Sequence, residues 1–267
     1  MPSQTWSTAG TYTFTVPGNV SSLRAQCWAA GGGGGMAAEL FIYQVNESYG
    51  NDWYNAAGGG SGEYAEEPDY AVTAGEHITV IVGAGGAGGI PSGTIEDVAG
   101  QPGGNTTVAT TGVIAHGGKG GESEYSAYPA SPGAGGTGSE NTIHYSGAAG
   151  GSPSDVTGTG GAGASSAGPS SAGNAGQTPG GTQTTPASGG AAVSGGGAGG
   201  DSGAYEGGDG QDGSAPGGAG GAGSEPAGSS PYSSSYYNGG NGADGQVIFT
   251  WTVEAPAASG ALLLAFP

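Results

Sequence analysis

"GGDGQDGSAPGGAGGAG", residues Gly207 to Gly223, decides how this chain is read. Glycine loses more freedom on ordering than any other residue. Such a stretch is therefore either left unordered or held by something other than side-chain packing. Within it Gly207, Gly210 and Gly213 keep a period of three, and so do Gly217, Gly220 and Gly223. The same period recurs at Gly83, Gly86 and Gly89, and at Gly239, Gly242 and Gly245. Collagen needs that period without a break; here the phase slips after each short run, which excludes it. A polyproline II helix also has three residues per turn and rises ~3.1 Å per residue, so each run would span roughly 20–30 Å. Such a helix bonds nothing internally, so its amides need outside partners. An edge of bare glycines lets neighbouring helices come close enough to supply them. The expectation is a set of short polyglycine II helices packed as an antiparallel bundle, with the quoted stretch as two of them hinged at Ser214 to Pro216.

The composition supports a folded object. The chain has 66 glycines in 267 residues, 34% hydrophobic and 9% charged, with a formal net charge of −19. Low hydrophobicity with net charge is the usual mark of disorder, but aromatics at 8% exceed what a Gly/Ser linker carries. Large apolar residues are too few to fill a core of this length. Ordering each Gly costs ~0.5–1 kcal/mol more than Ala, while a net backbone hydrogen bond returns ~0.5–1.5 kcal/mol. The bundle therefore holds only if nearly every interior amide is paired. Arg24 and Lys119 are the only lysine or arginine residues, which excludes a nucleic-acid footprint and argues against anionic membrane surfaces. Cys27 is the single cysteine and reads as a small core residue. The first residues lack a secretory pattern, and "ALLLAF" is too short to span a bilayer, so no membrane insertion is expected.

Strand patterns fill the first third: "TYTFTV", "SLRAQCWAA", "AELFIYQV", "EHITVIVG", and a hairpin pair in "NTTVAT" and "GVIAHG". They then stop for more than a hundred residues and return in "QVIFTWTVE". A lone strand is unstable in water, so this last one must pair with strands of the first third. The glycine-rich region is then a closed excursion from a β scaffold. No window keeps a helical period. The expected fold is mainly β: a small β-sandwich-like base carrying the glycine bundle, with essentially no α-helix. Residues 1–254 form one glycine-rich domain, its base from 1–116 plus 244–254 and its bundle from 117–243, with further runs at 31–35 and 83–89. Residues 255–267 form an apolar tail.

Four blocks carry a family resemblance. "TYTFTVPGNVSSLRAQCWAAGGGGG", "GEYAEEPDYAVTAGEHITVIVGAGGAGG", "NTTVATTGVIAHGGKGG" and "GGNGADGQVIFTW" occur in an order that resembles the glycine-rich domains of bacteriophage tail proteins. The resemblance implies a β base under a polyglycine II bundle, at the tip of a tail fibre, with variable loops that bind the host surface. It implies a virion tail location and partners among other tail subunits and a host-surface glycan or protein. The insert "QVNESYGNDWYN" and the apolar tail depart from the pattern.

Four segments between glycine runs combine Tyr with Ser, Asn and Trp, the chemistry of adaptable binding surfaces. They supply the candidate receptor-binding residues Tyr49, Trp53, Tyr54, Tyr125, Tyr128, His144, Tyr145, Tyr232, Tyr236 and Tyr237. The competing reading is that these rings cap the bundle. Leu262, Leu263, Leu264 and Phe266 form a candidate docking tail. "GGDGQDGSA" and "GGNGADGQV" partly fit a calcium β-roll repeat, giving Asp209, Asp212 and Asp244 as weak candidates, but the copies are not in tandem. "GDSG" at 200–203, with His116 upstream, has the form of a protease nucleophile loop without the rigid barrel a triad needs. "VGAGGAGG" is followed by Pro91 and Gly93 rather than a helix, so it is no dinucleotide loop. The expectation is a receptor-binding tail protein, or a purely architectural tail or decoration subunit of the virion, that is not an enzyme and needs no cofactor or metal. Ice binding is the reading from another class.

Overall fold

The computed structural model describes residues 1–42, 50–91, 98–108, 112–125, 130–154, 158–180, 185–204, 206–226 and 235–253, with the backbone alone at 39–42, 50–54, 125, 206 and 226. The described residues are mainly β and include no helix. In chain order the strands are β1 (Ser3–Trp6), β2 (Gly10–Thr15), β3 (Ser22–Trp28), β4 (Ala37–Ile42) and β5 (Gly50–Ala56). Then come β6 (Tyr64–Ala71), β7 (His77–Val82), β8 (Thr106–Val108), β9 (Val113–Ala115) and β10 (Ser123–Tyr125). The last are β11 (Ile143–Tyr145), β12 (Glu206–Gly208), β13 (Ser224–Pro226), β14 (Ser235–Tyr237) and β15 (Gln246–Trp251).

Two sheets form a sandwich. One is ordered β1-β15-β3-β6-β11 and the other β2-β7-β8-β9. Period-two alternation decides what lies between them. Phe14, Ile78, Val80, Val82, Val108 and Val113 from one sheet meet Leu23, Ala25, Cys27, Val247 and Phe249 from the other, with Trp6 at the side. Trp6, Phe14 and Phe249 meet edge-on at ring-centroid distances of 5.1–6.0 Å, an arrangement that adds to their area burial. The late strand β15 lies between β1 and β3, with Val247 opposite Cys27 and Phe249 opposite Ala25. Burial pushes the Cys27 thiol well up, which suits a core residue.

Five strands, β10 to β14, lie within 117–243, where the sequence shows no strand signal. Each is three residues long, too short to leave a legible alternation. β10-β5-β4-β14 form a second small sheet, and β12 pairs with β13.

Between the sandwich and this second sheet lies a block of hydrogen-bonded glycine-rich runs. Run 29–36 joins β3 to β4 and run 57–63 joins β5 to β6, so both cross the block. Successive donors of run 29–36 turn to three partners in rotation. Ala29, Gly32 and Gly35 donate to Glu63, Gly60 and Ala57; Ala30, Gly33 and Met36 donate to Gly104, Gln101 and Val98; Gly31 and Gly34 donate to Ala243 and Gly240. Its carbonyls accept from three more runs: Gly31 and Gly34 from Gly86 and Gly89, Ala30 and Gly33 from Gly118 and Gly121, Gly32 and Gly35 from Gly220 and Gly223. Runs 57–63, 161–167 and 217–223 are bonded in the same rotating manner. All four are buried throughout, whereas outer runs bury about every third residue, as at Gly133, Gly136 and Ser139.

The expected antiparallel arrangement is corrected here. The partner numbers of run 29–36 descend in the three runs it donates to and ascend in the three that donate to it, so half of its neighbours are parallel. The reason is geometric. A run whose amides point three ways needs neighbours all round, and three mutually adjacent runs cannot all be antiparallel to one another. Beside the Ser214 to Pro216 stretch, Ala215–Gly217 form a turn, and Gly221 on one side donates to Gln211 on the other at 2.9 Å.

Candidate functional site

The small sheet at the far end of the block gathers three of the four aromatic segments. In it Tyr54 is in register with Tyr125 on one side and Ala38 on the other, and Ala38 with Tyr236. Trp53 is in register with Glu39. β4 and β5 stay paired out to Ile42 and Gly50, whereas β10 reaches only Tyr54 and β14 only Glu39. The β4–β5 hairpin therefore projects beyond its neighbours. Its outer part carries Leu40, Phe41 and Ile42, an apolar run read from sequence only as a strand. Tyr49, Tyr128 and Tyr232 lie outside the described residues, in segments that adjoin strands of this end.

The neighbours Tyr236 and Tyr237 have different roles. Tyr236 is 38% exposed. Tyr237 packs against Ala37, Ala56 and Ala222, and its ring lies over Gly207, where any Cβ would collide with it. Tyr237 thus holds β14 to the block and caps it.

The fourth segment goes elsewhere. β11 pairs with β6 on the sandwich, with Tyr145 opposite Tyr64 and His144 opposite Ala65. Tyr145 stacks on Tyr64 at 6.4 Å, and the exposed His144 ring nitrogen Nδ1 lies 2.9 Å from the Asn141 carbonyl. These two residues are separated from the far sheet by the glycine block. Leu262, Leu263, Leu264 and Phe266 lie outside the described residues.

The three aspartates named as weak calcium candidates each accept a backbone amide. Asp209 accepts the Asn238 amide at 2.7 Å and Asp212 the Asn241 amide at 2.6 Å. Asp244 accepts from Gly85 at 2.8 Å and Ala9 at 3.0 Å. Asn241 likewise accepts from Gly88, and Asp201 from Gly189. On outer runs, Asx side chains take up amides that face no neighbouring backbone, which answers the need to pair buried or half-buried donors. Among the described residues no group of three His, Cys, Asp or Glu side chains clusters to hold a metal. Ser202 is buried; its hydroxyl accepts from Ala187 at 2.8 Å and contacts the Gly203 carbonyl at 3.3 Å.

One polar cluster escaped the sequence reading. On the face of β3 and β6 turned away from the sandwich core, Arg24 donates to Glu66 twice, at 2.6 and 2.8 Å. Gln26 donates to the Tyr64 hydroxyl at 2.7 Å, and that hydroxyl donates to Glu66. Burial raises the Glu66 carboxyl, but the hydrogen bonds from Arg24, Tyr64 and Gln26 and the Arg24 charge outweigh it, leaving a net position below the ordinary carboxylate value. Burial and the bond to Glu66 push the Tyr64 phenol well up. The only legible signal was an arginine in a chain nearly free of cations; its partner lies some forty residues on, across a strand pair.

A family model described as a glycine-rich domain matches residues 7–252. No curated protein matches the chain.

Proposed function

The chain belongs to the glycine-rich domain family over nearly its whole length, and from that premise we propose that it is a bacteriophage tail-associated protein that binds the host surface. In this reading the glycine runs are polyglycine II helices bundled into a stiff spacer, and the sandwich is the end that meets other virion subunits. The far sheet presents the Tyr-, Trp- and Asn-rich segments to a glycan or protein of the host envelope. One observation carries the reading: three such segments, far apart in sequence, converge on one small sheet across the block from the sandwich. Rigid rings with adaptable hydrogen-bonding neighbours suit such a surface. A chain of net charge −19 suits neutral sugars better than acidic polymers. The protein would act without catalysis or cofactor, as part of the virion tail.

A purely architectural tail subunit is the second reading, favoured by the use of Tyr237 and Tyr145 as packing groups. The test is binding of labelled full-length protein to a panel of bacterial cells and to their extracted wall glycan. Saturable binding to one of them supports the adhesin. A folded sample that binds none supports the architectural subunit.

A further inference from the structure

We propose that residues 261–266 of this chain, "ALLLAF", fold back onto the sandwich and pair with the edge of β2 as an added antiparallel strand. They belong to the tail 254–267, which lies outside the described residues. Sandwiches leave two lateral sides, and here they differ. On one side the edge of β9 is covered: Asn141 accepts from the Ile114 amide at 3.0 Å and donates to the Gly112 carbonyl at 3.3 Å. On the opposite side β1 and β2 are the edges, joined by Trp6 packing on Tyr12 and Phe14.

Val16 donates to Glu76 on the β7 side. By antiparallel alternation, the backbone groups of Thr11, Thr13 and Thr15 point away from β7. No strand or loop among the described residues supplies their partners. β2 itself has no charge, proline or bulge to blunt such an edge. Tyr12 and Trp251, both partly buried, pack against the core on this side.

The path of the chain selects the tail as the occupant. Ala9, just ahead of β2, bonds Asp244, just ahead of β15, at 3.0 Å. Phe14, near the end of β2, packs on Trp251, the last residue of β15, at 5.3 Å. β2 and β15 therefore run side by side in one direction. A chain that reverses after Val253 comes back antiparallel to β2, the direction β7 already has. Seven residues, 254–260, precede Ala261. Extended they reach about 23 Å, against ~10 Å between packed sheets, and Pro256 and Gly260 suit the reversal. The returning stretch matches β2 in length, six residues against six. As a strand it alternates, with Leu262, Leu264 and Phe266 on one face for the core side. Charge agrees. Asp244 stands at one end of this edge and Glu76 at the other, where Val16 bonds its carbonyl. These oppose a second copy of a chain of net charge −19, whereas residues 255–267 carry no Asp, Glu, Lys, Arg or His.

Residue-resolved amide exchange of the full chain, at several protein concentrations, tests this at Thr11, Thr13 and Thr15. The expected result is protection that does not depend on concentration. Replacing both Leu262→Asp and Leu264→Asp should speed exchange at these three amides about tenfold or more, while Val80 and Phe249 keep their protection. The reciprocal test reads the tail. Chymotrypsin should spare the bonds from Leu262 to Phe266 in the parent and cut them in Thr13→Pro, which deletes an outward-facing donor at a place that tolerates proline. Should Thr13→Pro fail to fold, exchange in the aspartate variant decides alone. Open amides at Thr11, Thr13 and Thr15 in the parent overturn the proposal. So does protection that grows with concentration, the mark of a second copy, or protection that the aspartate variant leaves intact.

Discussion

A Cβ placed on Gly33 would lie 2.1 Å from the carbonyl oxygen of Ala87. That oxygen belongs to backbone bonded in turn to Gln101, at 2.8 Å, so it cannot swing aside alone. Gly33→Ala should therefore destabilise by about 3 kcal/mol or more, the upper range for overpacking. Gly18→Ala, where nothing lies within 4 Å, is the control and should change the melting midpoint little. Thermal denaturation of the two variants beside the parent protein measures the difference.

The Asp212 carboxylate holds the Asn241 amide at 2.6 Å, while Gly213 donates to the Asn241 carbonyl at 2.8 Å. Asp212→Ala should cost about 1–2 kcal/mol, the worth of a charge-assisted bond on a half-open edge. Asp212→Asn, which keeps an acceptor, should cost less than half of that. Calcium should leave the melting midpoint of the parent protein unchanged, since these aspartates already serve amides. A calcium-dependent rise would show that they bind metal instead.

Acid should weaken the fold through Glu66. Its carboxyl sits below the ordinary value in the folded chain, so its contribution is complete above the unfolded value of about 4.3 and is lost as pH falls through the folded one. Arg24→Ala should cost about 2 kcal/mol near neutrality, less than a fully buried pair because the arginine is half-exposed. Tyr64 acts at the other end: its phenol is raised, so its share is intact below about pH 10 and is lost as pH climbs beyond. Urea midpoints from pH 3 to 11 in the parent and Glu66→Gln proteins follow both limbs, and the acid limb should flatten in the variant.

Tyr236→Ala should lower binding to cells or wall glycan with the melting midpoint unchanged, because the ring is exposed. Tyr237→Ala should lower the midpoint, by about 3 kcal/mol in stability, through lost packing on Ala37, Ala56 and Ala222. Tyr145→Ala should likewise act on stability through its stack on Tyr64 and leave binding alone.

The sandwich was legible because its strands alternate. Phe14 against Thr13, Val80 against Thr79 and Val247 against Ile248 sort themselves by period, and the isolation of β15 forced it back onto the early strands. The glycine runs were legible through the spacing of Gly86 and Gly89 or Gly220 and Gly223, all of which donate to run 29–36. What escaped has no periodic signature. Run 57–63, "AGGGSGE", is interior to the block yet too short to keep a phase, and the mixed directions follow from packing in three dimensions rather than from any local pattern. At the site, composition singled out tyrosines, but only strand pairing separates Tyr145, bound to the sandwich, from Tyr236 at the far end.

Residue-resolved amide hydrogen exchange on the full chain tests most directly whether the glycine runs are the rigid interior of the molecule. Protection reports the free energy of opening each bond. The amides of Gly32, Gly34, Gly59, Ala164 and Gly220 should exchange as slowly as those of Val80 and Phe249 in the sandwich. Exchange of these glycines at the rate of an unfolded chain, with the sandwich still protected, would contradict the account.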